Sequence, residues 1–133
     1  MEAASRDSAA GNAAPSGFQV LRQQRHAIWL EDLTRRLRQL LLQTGEQAEG
    51  PLQILLFGSR ARGDWDGYSD TDLLVVAPNR AEAERWADLL LEAGLAHDVV
   101  ALDQPTWSGM ETSDSPHWRA VKRQAVPLLL REP

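Results

Sequence analysis

The sequence predicts an α/β fold in which helices cover a small sheet, and three observations predict it. Short apolar runs of strand length end at turn residues, as in Ile54 to Phe57 before Gly58 and in the run from Asp72 to Val76 before Pro78-Asn79. Longer segments repeat their apolar residues at three- and four-residue steps, the period of a helix. The two kinds of segment alternate, giving the order helix, strand, short helix, strand, helix, strand, helix, short strand. A length of 133 residues suits one domain with a substantial core.

Taken in order, residues 1–17 are rich in Ala, Ser, Gly and Asn and lack Leu, Ile, Val and Phe. They cannot bury enough apolar surface to order themselves, so a disordered leader is expected, with the folded domain at residues 18–133. The leader has no apolar centre of the kind a signal peptide needs, and no run is long enough to span a bilayer, so a cytoplasmic protein is expected. From Phe18 to about Thr44 the stripe His26, Trp29, Leu30, Leu33, Leu37, Leu40 and Leu41 predicts an amphipathic helix. Arg22, Arg25, Arg35, Arg36 and Arg38 decorate its solvated side, and Gly45 and Gly50-Pro51 close it.

Asn79 and Glu82 have capping-box spacing and open a second long helix. Trp86, Leu89 and Leu90 face inward on it, and Gly94 stops it. A strand-like run follows from Asp98, and Asp103 ends it. Residues 104–115 read as irregular or briefly helical. Ser115-Pro116 then starts a helix with the stripe Trp118, Val121, Ala125, and Arg119, Lys122 and Arg123 read as surface charge between those positions. Val126 to Leu130 is a short extended run whose pairing is left open by Pro127, which has no N–H to donate.

The chemistry concentrates between the first two strands. In an extended chain, alternate residues share a face, so Asp70 and Asp72 present two carboxylates side by side. Two such charges about 5 Å apart repel by roughly 3 kcal/mol at an effective dielectric near 20. By itself the pair reads better as solvated turn acids, although a hard cation such as magnesium, carrying phosphate, would offset the repulsion. Gly58-Ser59 points the same way. Glycine permits a tight exit from the strand and close approach of a ligand. Ser59 is placed to cap a short helix whose first N–H groups bind anions, with Arg60 and Arg62 adding charge. The stretch is not a Walker A loop, because Asp64 and Trp65 stand where Lys and Ser or Thr are required. Trp65 and Tyr68 in the same loop either stack on a base or cover the core's edge.

Gly58-Ser59, ten residues, then Asp70-Thr71-Asp72 resembles the signature of minimal nucleotidyltransferases of the DNA polymerase β superfamily. The fuller wording, Phe57 to Gly63 and Ser69 to Val76, is similar as well. The resemblance implies a polymerase β-like fold with a mixed sheet and a third carboxylate on a neighbouring strand. Asp98 is the match, with Asp103 as competitor. It implies Asp70, Asp72 and Asp98 as catalytic metal ligands for two magnesium ions, and Gly58, Ser59 and Arg62 as the cradle for the triphosphate of ATP. The chain departs from the family near its end, where Ala125, Pro127 and Leu129 replace the usual turn Gly and terminal Tyr.

Stand-alone domains of this kind resemble the antitoxins of toxin–antitoxin pairs. The implied partner is then an all-helical HEPN ribonuclease toxin, and the implied reaction adenylylation of its tyrosine. A small-molecule nucleotidyltransferase and a non-catalytic binding module are the alternatives. With no Cys and three scattered His, neither a disulfide framework nor a zinc site is expected. A net charge of −5 argues against direct binding to nucleic acid and favours a nucleotide or a protein partner.

Overall fold

The computed structural model describes residues 16–44, 50–63 and 69–132. The leader up to residue 15, Gly45, Trp65 and Tyr68 lie outside the described residues. The chain divides into two compact units, residues 1–33 and 34–133, and the first helix, α1 (Gly17–Thr44), begins in one and ends in the other. It starts one residue earlier than expected, within the stretch assigned to the leader. The reason is a reciprocal cap: the Gln19 N–H donates to Ser16 Oγ at 3.1 Å, and the Ser16 N–H donates to Gln19 Oε1 at 2.9 Å. Within the first unit, His26 and Trp29 stack with ring centroids 5.7 Å apart, and Arg22 and Arg25 are exposed. Within the second, Leu37 is buried while Arg35, Arg36 and Arg38 are exposed, as the helical period requires. Among the described residues, no helix is long and apolar enough to cross a membrane.

The second unit is built on a four-stranded mixed sheet of order β3-β2-β1-β4, with β1 (Leu52–Phe57), β2 (Asp72–Ala77), β3 (Asp98–Asp103) and β4 (Val126–Arg131). A one-turn helix, α2 (Ser59–Arg62), follows β1. The β1–β2 and β1–β4 pairs are antiparallel, and β2 and β3 run parallel, joined by the crossover helix α3 (Arg80–Glu92). The two central strands read as nearly continuous apolar runs because both of their faces are covered.

Helix α3 packs on β2 and β3 with Ala83, Trp86 and Leu90 buried. It opens at the predicted cap, where Asn79 Oδ1 accepts the Glu82 N–H at 2.9 Å. The other face carries Leu55, Leu74, Val76 and Leu102. It is closed by Trp107 from α4 (Gln104–Ser108) and Val121 from α5 (Pro116–Gln124), with a 3₁₀ turn, Gly109–Thr112, between those helices. Asp103 ends β3 and caps α4, accepting the Thr106 N–H at 2.7 Å, and Ser115 caps α5 through the Trp118 N–H at 3.3 Å.

The open question of the last strand has a definite answer. β4 is an edge strand on β1, with Ile54 opposite Leu129 and Leu55 opposite Pro127. Leu128 is therefore a bulge, and the irregularity sits where Pro127 has no N–H to give the ladder. The strand's end is pinned by Arg131. Its Nε donates to the Gly50 carbonyl at 2.8 Å, and its guanidinium lies 5.9 Å from the Trp86 ring centroid.

Candidate active site

Strand register assembles the acids. Phe57 stands opposite Asp72 across the antiparallel pair, and Asp72 stands beside Asp98 across the parallel pair. The next row inward is Leu55, Leu74 and Val100. Residues two apart on a strand share a face, so Asp72 and Asp98 both emerge on the face that carries Leu74, Val76, Val100 and Leu102. The carboxylates continue the apolar ladder at the point where its cover runs out. Asp72 is half-buried, and Asp70 and Asp98 are exposed.

The start of that ladder is tied down by a contact between β2 and β3. The backbone N–H of the buried Thr71 donates to His97 Nδ1 at 2.8 Å. In return, the Thr71 carbonyl accepts the N–H groups of His97 at 2.9 Å and of Asp98 at 3.3 Å. Where they lead into the two acids, the two segments are thus linked three times. Asp70 Oδ1 lies 4.0 Å from the same imidazole nitrogen. That nitrogen already accepts a backbone N–H, so it carries no proton and the contact is not an ion pair. His97 was not among the residues singled out from the sequence. Its position directly before Asp98 was the only signal, and its partner lies 26 residues away.

Gly58 sits at φ +81, ψ −158, a conformation open to glycine and strained for other residues. A Cβ at this position would run into Asp72 Oδ2. The glycine therefore makes the turn and also leaves room for the carboxylate. The expected cap by Ser59 is not present. Gly58 itself is the N-cap of α2, with no side-chain cap bond, and its carbonyl accepts the Ala61 and Arg62 N–H groups, each at 3.1 Å. Because the strand turns at Gly58, Ser59 falls inside the helix's first turn and lines the adjoining cavity instead. Arg60 is drawn off to the loop, its Nε donating to the Ser69 carbonyl at 3.3 Å.

That cavity, of about 500 Å³, brings together Gly58, Ser59, Arg62, Asp70 and Asp72, five of the six predicted site residues. Asp98 does not line it, but flanks it as the neighbour of Asp72 in register. The Asp72 carboxyl is held above the ordinary carboxylate range, first by burial and then by the negative charges of Asp98 and Asp70, with the Arg62 guanidinium opposing. The donors are all carboxylate oxygens, the set a hard divalent cation takes. Among the described residues, no three acidic or histidine side chains close on one point as a ready-made cage. Magnesium characteristically takes only one or two carboxylates and completes its shell with waters and substrate phosphates, so this donor set fits it.

The family model described as Nucleotidyltransferase domain matches residues 22–119, a stretch that includes β1, β2, β3 and the Gly58-Ser59 turn. No curated protein and no solved structure matches the chain.

Proposed function

This chain belongs to the nucleotidyltransferase domain family, and we propose that it transfers AMP from ATP to a tyrosine hydroxyl of a HEPN ribonuclease toxin, acting as that toxin's antitoxin. The observation that carries the transfer chemistry of this reading is the row of acids at the sheet end, with Asp72 against Gly58 on one side and beside Asp98 on the other, while the toxin acceptor rests on the resemblance alone. In this reading Asp70 and Asp72 hold magnesium together with the triphosphate, and Ser59 and Arg62 hold the outer phosphates. Bound magnesium supplies charge neutralisation at the phosphates and a more electrophilic α-phosphorus.

Asp98 accepts the proton of the acceptor hydroxyl and contributes to the second metal position. The hydroxyl oxygen forms a new bond to the α-phosphorus, the bond from that phosphorus to the α–β bridging oxygen breaks, and pyrophosphate leaves with the electron pair. The rate gain comes from positioning and charge stabilisation. A phosphate-linked AMP on the toxin would add bulk and negative charge beside its RNA channel.

The test is incubation of the protein with labelled ATP, magnesium and a HEPN protein encoded beside it, followed by mass spectrometry of the modified residue. AMP on a tyrosine supports the reading, and AMP on a small hydroxyl compound alone refutes the protein acceptor. Undiminished transfer by the Asp70→Asn, Asp72→Asn double variant refutes the metal roles.

A further inference from the structure

The cavity that holds the acids has a second wall, which the phosphate chemistry leaves unused. His117, Ala120, Val121 and Gln124 of α5 all line it. Their spacing of three and four residues puts them on one side of the helix. The basic residues of α5, read from the sequence as surface charge, lie off this side, and Arg119, Lys122 and Arg123 do not line the cavity. Arg119 Nη1 donates to the Ser113 carbonyl, and Lys122 Nζ sits 4.1 Å from the Trp107 ring centroid. What α5 offers the cavity is an imidazole, an amide and two small apolar side chains, with Phe57 adding an aromatic ring from the end of β1.

We infer that this face of α5 is the nucleoside seat of the site: it takes the base and ribose of the nucleoside triphosphate, while Gly58, Ser59 and Arg62 take the phosphates. The inference rests on the nucleotide-transfer reading above and assigns the half of the ligand which that reading left unplaced. A nucleobase has apolar faces and a hydrogen-bonding edge. Phe57, Ala120 and Val121 match the faces, and the Gln124 amide, with both donor and acceptor, matches the edge. A triphosphate tail would find no lysine or arginine on this wall, whereas Arg62 lines the phosphate side, so the two ends of the ligand are sorted between the two walls. Ala120 and Gln124 lie beyond residue 119, where the family match ends, so the family match does not assign this seat.

The experiment uses two probes, magnesium ATP and magnesium tripolyphosphate, which shares the phosphates and lacks the nucleoside. Binding is measured on the full chain by calorimetry, for wild type, Gln124→Ala and Ala120→Phe, each checked for unchanged circular dichroism. Ala120→Phe fills the seat, and Gln124→Ala removes its polar edge without adding volume. The expected result is that both weaken ATP by about tenfold or more, the scale of losing one well-made contact, and leave tripolyphosphate unchanged. An ATP-to-tripolyphosphate affinity ratio that stays at the wild-type value in Gln124→Ala and Ala120→Phe overturns the inference, as does equal loss of both probes. Failure of the underlying reading looks different. Tripolyphosphate binding that survives both Arg62→Ala and Asp70→Asn refutes the phosphate and metal assignments, whatever the ratio does.

Discussion

Replacing Gly58 with Ala separates two costs that the structure superimposes at one residue. The first is backbone strain: at φ +81 and ψ −158 an L side chain is disfavoured by about 1–3 kcal/mol. The second is the collision of the new Cβ with Asp72 Oδ2, which forces the carboxylate away from its rotamer at a cost of about 0.5–1.5 kcal/mol. Together they destabilise the fold by about 1.5–4.5 kcal/mol, below the roughly 5–15 kcal/mol that domains possess, so the variant still folds. Gly94→Ala is the matched control. Gly94 also has positive φ, +71, but an added Cβ there meets no atom within 4 Å. It therefore bears only the backbone term, about 1–2 kcal/mol.

Urea unfolding and nucleotidyl transfer are measured on both variants. Both lose stability, but only Gly58→Ala loses transfer, by about a hundredfold, the penalty for moving a reactive group by about 1 Å. Gly58→Ala with near wild-type transfer would refute the claim that Gly58 exists to admit the Asp72 carboxylate. So would an equal loss of transfer in Gly94→Ala.

The raised Asp72 carboxyl makes a prediction of opposite sign for stability and chemistry. Its folded state holds a proton more tightly than the unfolded chain does, so stability falls as pH rises from the ordinary carboxylate range through the raised value. Asp72→Asn should therefore raise the Tm of metal-free protein at neutral pH while abolishing transfer, and a lowered Tm would contradict the charge-repulsion account. His97 acts as a positioning residue. His97→Ala leaves the buried Thr71 N–H without its acceptor, costing about 1–3 kcal/mol, and lowers kcat with little change in the KM for the nucleotide. His97→Asn, which keeps a side-chain acceptor, should recover part of kcat, a rescue that a purely space-filling role would not give. Asn79→Ala removes the α3 cap and about 1 kcal/mol of stability in chemical denaturation, with no effect on transfer, whereas Asn79→Asp keeps both.

The elements legible in the sequence are those whose cause is local. The apolar runs of β1 and β2 announce strands because both faces are buried, and Asn79 and Ser115 announce helices because a cap needs only the next few residues. Even the Ser16–Gln19 cap was readable in principle, but it stands at the edge of an Ala- and Ser-rich stretch whose composition argues for disorder. What escaped reading depends on partners far along the chain. The β4 bulge follows from how Pro127 meets Leu55, and the importance of His97 follows from Thr71. The cavity-lining side of α5 depends in the same way on Ser113 and Trp107, which hold Arg119 and Lys122 away from it. Of the site, the signature residues were readable as types in order. The in-register neighbour relation of Asp72 and Asp98 was not, because register is a property of the pair of strands.

Register is also the variable on which the chemistry turns. A slip of one residue between neighbouring strands exchanges the faces of every side chain on the slipped strand. For β3 it would send Asp98 to the α3 side and bring Val99 beside the cavity, leaving Asp72 without its neighbour. A slip of two would restore the face, but would set Asp72 beside Val100 or Ala96 in place of Asp98. The apolar ladder alone resists this weakly, since Val99, Val100 and Ala101 are small residues of similar shape. The three bonds between Thr71 and His97-Asp98 lie immediately outside the first paired row, where a slip would begin, and each one breaks in any other register. The repulsion among the acids works against them, because it is relieved when the strands part. The neutral clamp one residue back thus opposes the charges it brings together, and cation binding, by removing the repulsion, should tighten the same register that the clamp selects.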